Sequence, residues 1–260
     1  MNPRRAFTAL LLLAALAASS AHAYDPQSLV IARPGNMPVI LTVPHDGVED
    51  VPGMSRRSRG VTVRDTNARL LAEGAADYIQ AKTGRRPYVL VALFSRRYID
   101  ANRSEREGVE SPEGLPAYRA YHAHLAAFIA EVHQRFPGGA VLLDVHGQAS
   151  DASTVYRGTR NRLSVKALLA RHGEAALSGE NSIMGQFKAL GHDIEPARPG
   201  EREVKYQGAN TLDQYGSHQP GGIDAIQLEF GKNQRDDPGA AEDFGKAIMA
   251  FEKAYLAAPK

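Results

Sequence analysis

Two histidines stand where a reactive site is easiest to build. His45 follows the stretch Pro38-Val39-Ile40-Leu41-Thr42-Val43-Pro44, and His146 follows Ala140-Val141-Leu142-Leu143-Asp144-Val145. Each stretch is an apolar, β-branched run cut off by turn residues, which is the pattern of a buried strand. In an open α/β sheet the residues leaving such a strand face the crevice where sites form. Two histidines at matching strand ends suit a single metal ion. Imidazole is a common ligand of Zn²⁺, and a catalytic zinc takes three protein ligands and keeps a position for water. The carboxylate completing the set is either Glu49, four residues after His45, or Asp65, at the start of a helical segment. The alternative is that each histidine merely caps its strand through a hydrogen bond.

Two further groups have chemistry to offer. The segment Arg97-Tyr98-Ile99-Asp100-Ala101-Asn102-Arg103 follows another strand-like run. Its arginines and asparagine suit a carboxylate or a carbonyl oxygen, since a guanidinium binds carboxylate in a bidentate fork. Asp100 can hold one of the arginines, and a solvated charged loop is the competing reading. Glu229 sits inside the apolar run Ile226-Gln227-Leu228-Glu229-Phe230. A buried carboxylate is costly unless used, and burial raises its pKa toward the range of a general base. Strand alternation equally allows it to point outward. Among the remaining histidines, His122, His124 and His133 fall on a helix with no matching carboxylate, and His172 and His192 fall near helix ends. His218 lies in a long loop and stays open as a cleft residue.

The elements that must position these groups alternate. Strands are expected at Leu29–Ala32, 38–43, Tyr88–Phe94, 140–145, Thr154–Tyr156 and Ile223–Phe230. Helices are expected over 64–82, Leu115–Phe136, about 163–172, about 179–190 and about 239–256. This alternation predicts an α/β fold with a mixed, largely parallel central sheet flanked by helices. Residues 46–62 read as a loop beside the site. Residues 191–222 are rich in Gly, Pro, Gln and Asn, and a loop of that length is usually functional. No linker divides 24–260, which reads as one catalytic domain.

Composition narrows the chemistry. The chain has 260 residues, a formal net charge of +2 and no cysteine. Disulfides, a cysteine nucleophile and thiolate metal ligation are excluded. Nothing in the charge balance calls for nucleic acid or an anionic membrane. Arg4-Arg5, the apolar run Ala6 to Ala18 and Ala21-His22-Ala23 follow the pattern of a cleavable signal peptide over 1–23, with Tyr24 as the mature start. The expected location is periplasmic or secreted.

Taken in order, Val-Pro-His45-Asp-Gly, Asp65 before a helix, Arg97-x-x-Asp-x-Asn102-Arg103, Asp-x-His146-Gly and Gln-x-Glu229 resemble the N-formylglutamate amidohydrolase family, a branch of the zinc carboxypeptidase-like hydrolases. Gln207-Gly208-Ala209-Asn210-Thr211 and Tyr215-Gly216 are similar to the family's Gly-rich segment. The resemblance covers 38 to about 235. It implies one Zn²⁺ on His45 and His146. The carboxypeptidase relatives place a glutamate three residues after the first histidine, where this chain has Val48. The third ligand then falls to Asp65, since an acid before this helix recurs in the family, with Glu49 as second choice. Arg97 would polarise the scissile carbonyl, Asn102 and Arg103 would grip a substrate carboxylate, and Glu229 would be the general base. The implied substrate is a small carboxylate-bearing amide. A carboxypeptidase-like enzyme acting on peptides or cell-wall stem peptides is the near alternative. An exported binding protein that has lost turnover is the distant one.

Overall fold

Runs of β-branched and aliphatic residues become the strands of one seven-stranded sheet in the computed structural model, which describes residues 24–256. The proposed leader and its cleavage site lie outside the described residues. The strands are β1 (Val30–Arg33), β2 (Val39–Val43), β3 (Tyr88–Ala92), β4 (Val141–Gly147), β5 (Thr154–Gly158), β6 (Asp193–Glu195) and β7 (Asp224–Phe230), in the spatial order β1-β3-β2-β4-β7-β5-β6. The central four, β3-β2-β4-β7, are mutually parallel. β1 and β5 run antiparallel to their inner neighbours, and β6 pairs parallel with β5. The sheet is therefore mixed and largely parallel, as the alternation of elements predicts.

The helices are α1 (Ala68–Thr83), α2 (Glu105–Gly108), α3 (Leu115–Arg135), α4 (Lys166–His172), α5 (Ala175–Ser178), α6 (Ile183–Ala189), α7 (Asn210–Tyr215), α8 (Lys232–Asp236) and α9 (Ala240–Tyr255). Side chains alternate between the faces of a strand, and the sheet uses both. Val39, Leu41, Val43, Leu143, Val145 and Leu228 pack with α1, α6 and α9. Ile40, Leu90, Leu142 and Ala225 pack under α3. None of the described helices is long and apolar enough to cross a membrane.

The α3 face changes character along the strands. It is apolar at Ile40, Leu142 and Ala225. Further along β2, β4 and β7 the same face carries Thr42, then Asp144 and His146, then Gln227 and Glu229. The register sets Thr42 beside Asp144, Asp144 beside Gln227, and His146 beside Glu229. A polar ladder thus forms at the carboxyl ends of the parallel strands, where open α/β sheets place ligands. All five side chains are buried.

The stretch 191–222 is more ordered than its composition suggests. It contains β6 and α7, and α7 is held by Tyr215 O accepting from Ile223 N at 2.7 Å. Both elements are too short to leave a periodic signal. The loop after β2 must cross the end of β3 closely: a Cβ at Gly47 would overlap the backbone of Leu93 and Phe94, so only glycine fits there.

Candidate metal centre

His45 leaves the end of β2, and its ring is oriented from behind. Its Nε2 lies 2.6 Å from Asp100 Oδ1 on the loop after β3. His146 is oriented in the same way, with Nε2 2.9 Å from Asp144 Oδ2, two residues back on the same strand face. Each Nε2 must carry the proton to bond a carboxylate, so each Nδ1 presents a bare lone pair. The two Nδ1 atoms are 3.1 Å apart. Asp65 Oδ2 completes the triangle, 3.2 Å from His146 Nδ1 and 3.4 Å from His45 Nδ1. Asp65 is set by the chain that precedes α1: its N–H donates to His45 O at 3.0 Å, and its Oδ2 also accepts from Gly147 N at 3.1 Å.

Three lone-pair atoms this close repel unless a cation or a proton lies between them. Bond lengths of 2.0–2.1 Å to a tetrahedral Zn²⁺ put ligand atoms about 3.3 Å apart, which matches the three edges. Metal-bound histidines also characteristically donate their other N–H to a carboxylate, and both do here. The residues therefore fit a divalent ion. His45, Asp65 and His146 also form the one group of three or more metal-type side chains among the described residues.

Electrostatics point the same way. Burial disfavours the His146 imidazolium, but Asp144 and Asp65 outweigh it and hold the pKa well above the ordinary histidine value. Burial would raise Asp65, yet hydrogen bonds from His146 and His45 hold it well below the usual carboxylate range. Asp100 is likewise held low against burial by His45, Arg96 and Arg57. The centre binds positive charge wherever it can. Glu229, across from His146, goes the other way: burial pushes its pKa up to about 7, against the pull of His146.

Around this centre opens a cavity of about 750 Å³. Its floor is the His45–Asp65–His146 triangle and Glu229. The lining includes the segment leading to Asp65, with Val61 and Val63 exposed. It also includes the loop carrying Lys205, Tyr206 and Gln207.

The placement of the sequence candidates is mixed. His45, His146, Asp65 and Glu229 converge. Glu49 does not: its side chain is exposed and its backbone bridges to Phe94, away from the cavity. Arg97 also points to solvent and is absent from the cavity wall, where its neighbour Arg96 stands instead. Arg96 donates from Nε to Asp100 Oδ2 at 3.1 Å and from Nη1 to Asp65 Oδ1 at 3.5 Å. Its Nη2 has no hydrogen bond to the described residues. Asn102 reaches the cavity, but its amide is engaged within the protein, with Oδ1 accepting from Thr211 N at 2.8 Å and from Thr211 Oγ1 at 3.0 Å. Arg103 lines the cavity and keeps most of its guanidinium free, with one bond from Nη1 to Asn102 O at 2.9 Å. His218 lies outside the cavity, against Gln219.

Sequence reading assigned no role to Asp144 and gave Asp100 only to an arginine. Asp144 was findable, because it sits two residues before His146 in an apolar strand and so shares its face. The choice between Arg96 and Arg97 left no trace in a loop without periodicity.

No protein-family model and no curated protein sequence matches the chain. Solved structures do. The N-formylglutamate amidohydrolase from Ralstonia eutropha JMP134 superposes with a TM-score of 0.59 at 16% identity, covering 88% of this chain and 98% of that one. The chain shares its fold with a solved N-formylglutamate amidohydrolase. A gene product from Agrobacterium tumefaciens is similar too, with a TM-score of 0.56 at 14% identity over 88% of this chain and 98% of the other.

Proposed function

We propose that this protein is a metal-dependent hydrolase of the amide bond in a small, carboxylate-bearing N-acyl amino acid. The observation that carries the reading is the lone-pair triangle of His45 Nδ1, His146 Nδ1 and Asp65 Oδ2, braced by Asp100 and Asp144, on the floor of an open cavity beside Glu229. The similar fold of the Ralstonia N-formylglutamate amidohydrolase supports it.

His45, His146 and Asp65 would hold the ion. A bound Zn²⁺ supplies Lewis acidity and lowers the pKa of a coordinated water to about 7. The remaining chemistry belongs to side chains. Glu229, with a pKa near 7, takes a proton from the attacking water and returns it to the leaving nitrogen; a base poised near the working pH is effective in both directions. Arg96 offers its unused Nη2 to the carbonyl oxygen as negative charge develops there, held in aim by Asp100 and Asp65. Arg103 and Lys205 are cavity-lining cations with no carboxylate within salt-bridge range among the described residues. They suit the carboxylate of the substrate. This assigns to Arg96 the role that the family resemblance gave to Arg97, and leaves Arg103 as substrate grip without Asn102. The leader-like pattern of residues 1–23 supports a reaction outside the cytoplasm.

The cavity volume favours a second substrate, a short peptide. At about 750 Å³ it lies in the upper part of the range that encloses drug-sized ligands, more than an N-formyl amino acid fills.

Metal content by elemental analysis, for the wild type and for His45→Ala/His146→Ala, tests the reading. One zinc or other divalent ion per chain, lost in the double variant and accompanied by hydrolysis of N-acyl amino acids or dipeptides, is expected. A protein that takes up no metal even after reconstitution would overturn it.

A further inference from the structure

Two buried amides next to the metal triangle are arranged head to tail. Thr211, at the start of α7, directs both its backbone N–H and its hydroxyl at Asn102 Oδ1, at 2.8 and 3.0 Å. A backbone N–H can only donate, so the orientation of the Asn102 amide is fixed: oxygen toward α7, nitrogen toward the sheet. Asn102 Nδ2 then faces the sheet, 3.1 Å from His146 Nε2 and 3.4 Å from both Gln227 Oε1 and Asp144 Oδ2; with the proton of His146 on Nε2, only the two oxygens can accept from the amide. With its oxygen facing a donor, Gln227 must turn its nitrogen the other way, and Nε2 donates to Glu229 Oε1 at 2.8 Å. Gln227 and Glu229 share a strand face, two residues apart on β7, and Asn102, Thr211 and Gln227 are almost fully buried. Each bond in the chain thus dictates the direction of the next.

We infer that Thr211, Asn102 and Gln227 form a directional amide relay that positions Glu229, occupying its Oε1 and leaving Oε2 as the oxygen that handles the proton. The inference rests on the proposed role of Glu229 as general base. Thr211, Asn102 and Gln227 are positioning residues; none of them touches the reacting atoms. The relay explains why Asn102 is spent inside the protein. It also explains why a glutamine precedes Glu229 by two residues, where an apolar side chain would be the simpler occupant of a buried strand.

The relay makes a specific demand on a small set of variants. Gln227→Met keeps the volume and removes the donor to Glu229. Thr211→Val keeps the shape and removes one of the two donors that set Asn102, whereas Thr211→Ser retains the hydroxyl. With N-formyl-L-glutamate and N-acetyl-L-glutamate as probes, Gln227→Met should lower kcat roughly tenfold, since misplacing a catalytic group is that costly, with KM and zinc affinity within about twofold of wild type. Thr211→Val should lower kcat by a smaller factor that Thr211→Ser restores. The double variant should be no slower than Gln227→Met alone, because residues acting through one chain are non-additive. Multiplying losses, or a Gln227→Met enzyme with unchanged kcat, would overturn the relay. A second readout is independent of turnover. In the metal-free protein, NMR should show a Gln227 side-chain amide proton protected from solvent exchange and shifted by Thr211→Val. An amide exchanging like that of an exposed glutamine overturns the relay even in an active enzyme. A protected, Thr211-sensitive amide in a protein that hydrolyses neither probe supports the relay and counts against the proposed reaction instead.

Discussion

Arg96 and Arg97 carry the same guanidinium on adjacent residues, and environment alone separates them. Arg97 is exposed, while Arg96 is buried against Asp100 and Asp65 with one nitrogen left over. Replacing Arg96 by alanine should lower kcat about a hundredfold, the scale of losing one oxyanion donor, and Arg97→Ala should leave kcat/KM within about twofold. Steady-state kinetics on the two variants decide between them. Glu229 shows how function and stability pull apart at a single residue. Burial raises its pKa from 4.5 to about 7, so the folded chain keeps a proton there that the unfolded chain has released. Stability falls as pH climbs through that window, and the full penalty, about 3 kcal/mol at most, applies above it. Glu229→Gln should therefore abolish most of the turnover, by a factor of about 10²–10⁴. It should also make the metal-free protein more stable than wild type at pH 8 but not at pH 4. Thermal melts at the two pH values check the sign.

At the scale of elements, the cavity-lining loop at 205–207 depends on one buried carboxylate. Glu203 is 3% exposed. It accepts from Thr159 N at 2.7 Å, Asn161 N at 2.8 Å, Thr159 Oγ1 at 2.5 Å and Arg157 Nε at 3.1 Å. The turn it stabilises runs through Arg160, Asn161 and Arg162, all at positive φ, a left-handed path that costs roughly 1–2 kcal/mol per non-glycine residue. Glu203 pins that turn to the loop that presents Lys205, Tyr206 and Gln207 to the cavity. Glu203→Gln should lower stability by about 1.5–3 kcal/mol, the worth of charge-assisted hydrogen bonds, and raise KM more than it lowers kcat. Denaturant titration and kinetics test both parts. The sequence marks 191–222 as a long loop of functional length, with Gln207 opening a Gly-rich segment, but nothing local ties Glu203 to the turn at 160–162. The strands were visible for the opposite reason: β2, β4 and β7 are buried on both faces and so spell near-continuous apolar runs. His45, His146 and Glu229 stood out as polar intrusions in or just after those runs. Asp100, Arg96 and Thr211 lie on loops or on a one-turn helix, and their part in the site depends on tertiary contacts that no local pattern encodes. The acid that joins the two histidines was legible only as a choice between Asp65 and Glu49. The path of the chain before α1 brings Asp65 to the histidines and leaves Glu49 on the surface.

For the whole molecule, the proposed metal site should make stability depend on pH and metal together. Asp65 and Asp100 are held well below the ordinary carboxylate pKa, so their contribution is present above about pH 4 and is lost as pH falls below it. His146 is held well above the ordinary histidine value, so its contribution is complete below about pH 6.5 and is lost as pH rises through the higher folded value. Glu229 adds its penalty between 4.5 and about 7. Rising pH therefore removes stability through two groups at once, and the metal-free fold should be most stable near pH 4–5 and weaken toward pH 8. A divalent ion should reverse the trend, because the imidazoles and carboxylate proposed to bind it must be deprotonated, and ligand binding to the folded state adds stability by mass action. The rise in Tm on adding Zn²⁺ should accordingly be small near pH 5 and large near pH 8, and it should vanish at both pH values in His45→Ala/His146→Ala. Calorimetry with and without metal across that range makes the test. A metal-independent Tm at pH 8 would show that the three lone pairs are satisfied by protons alone.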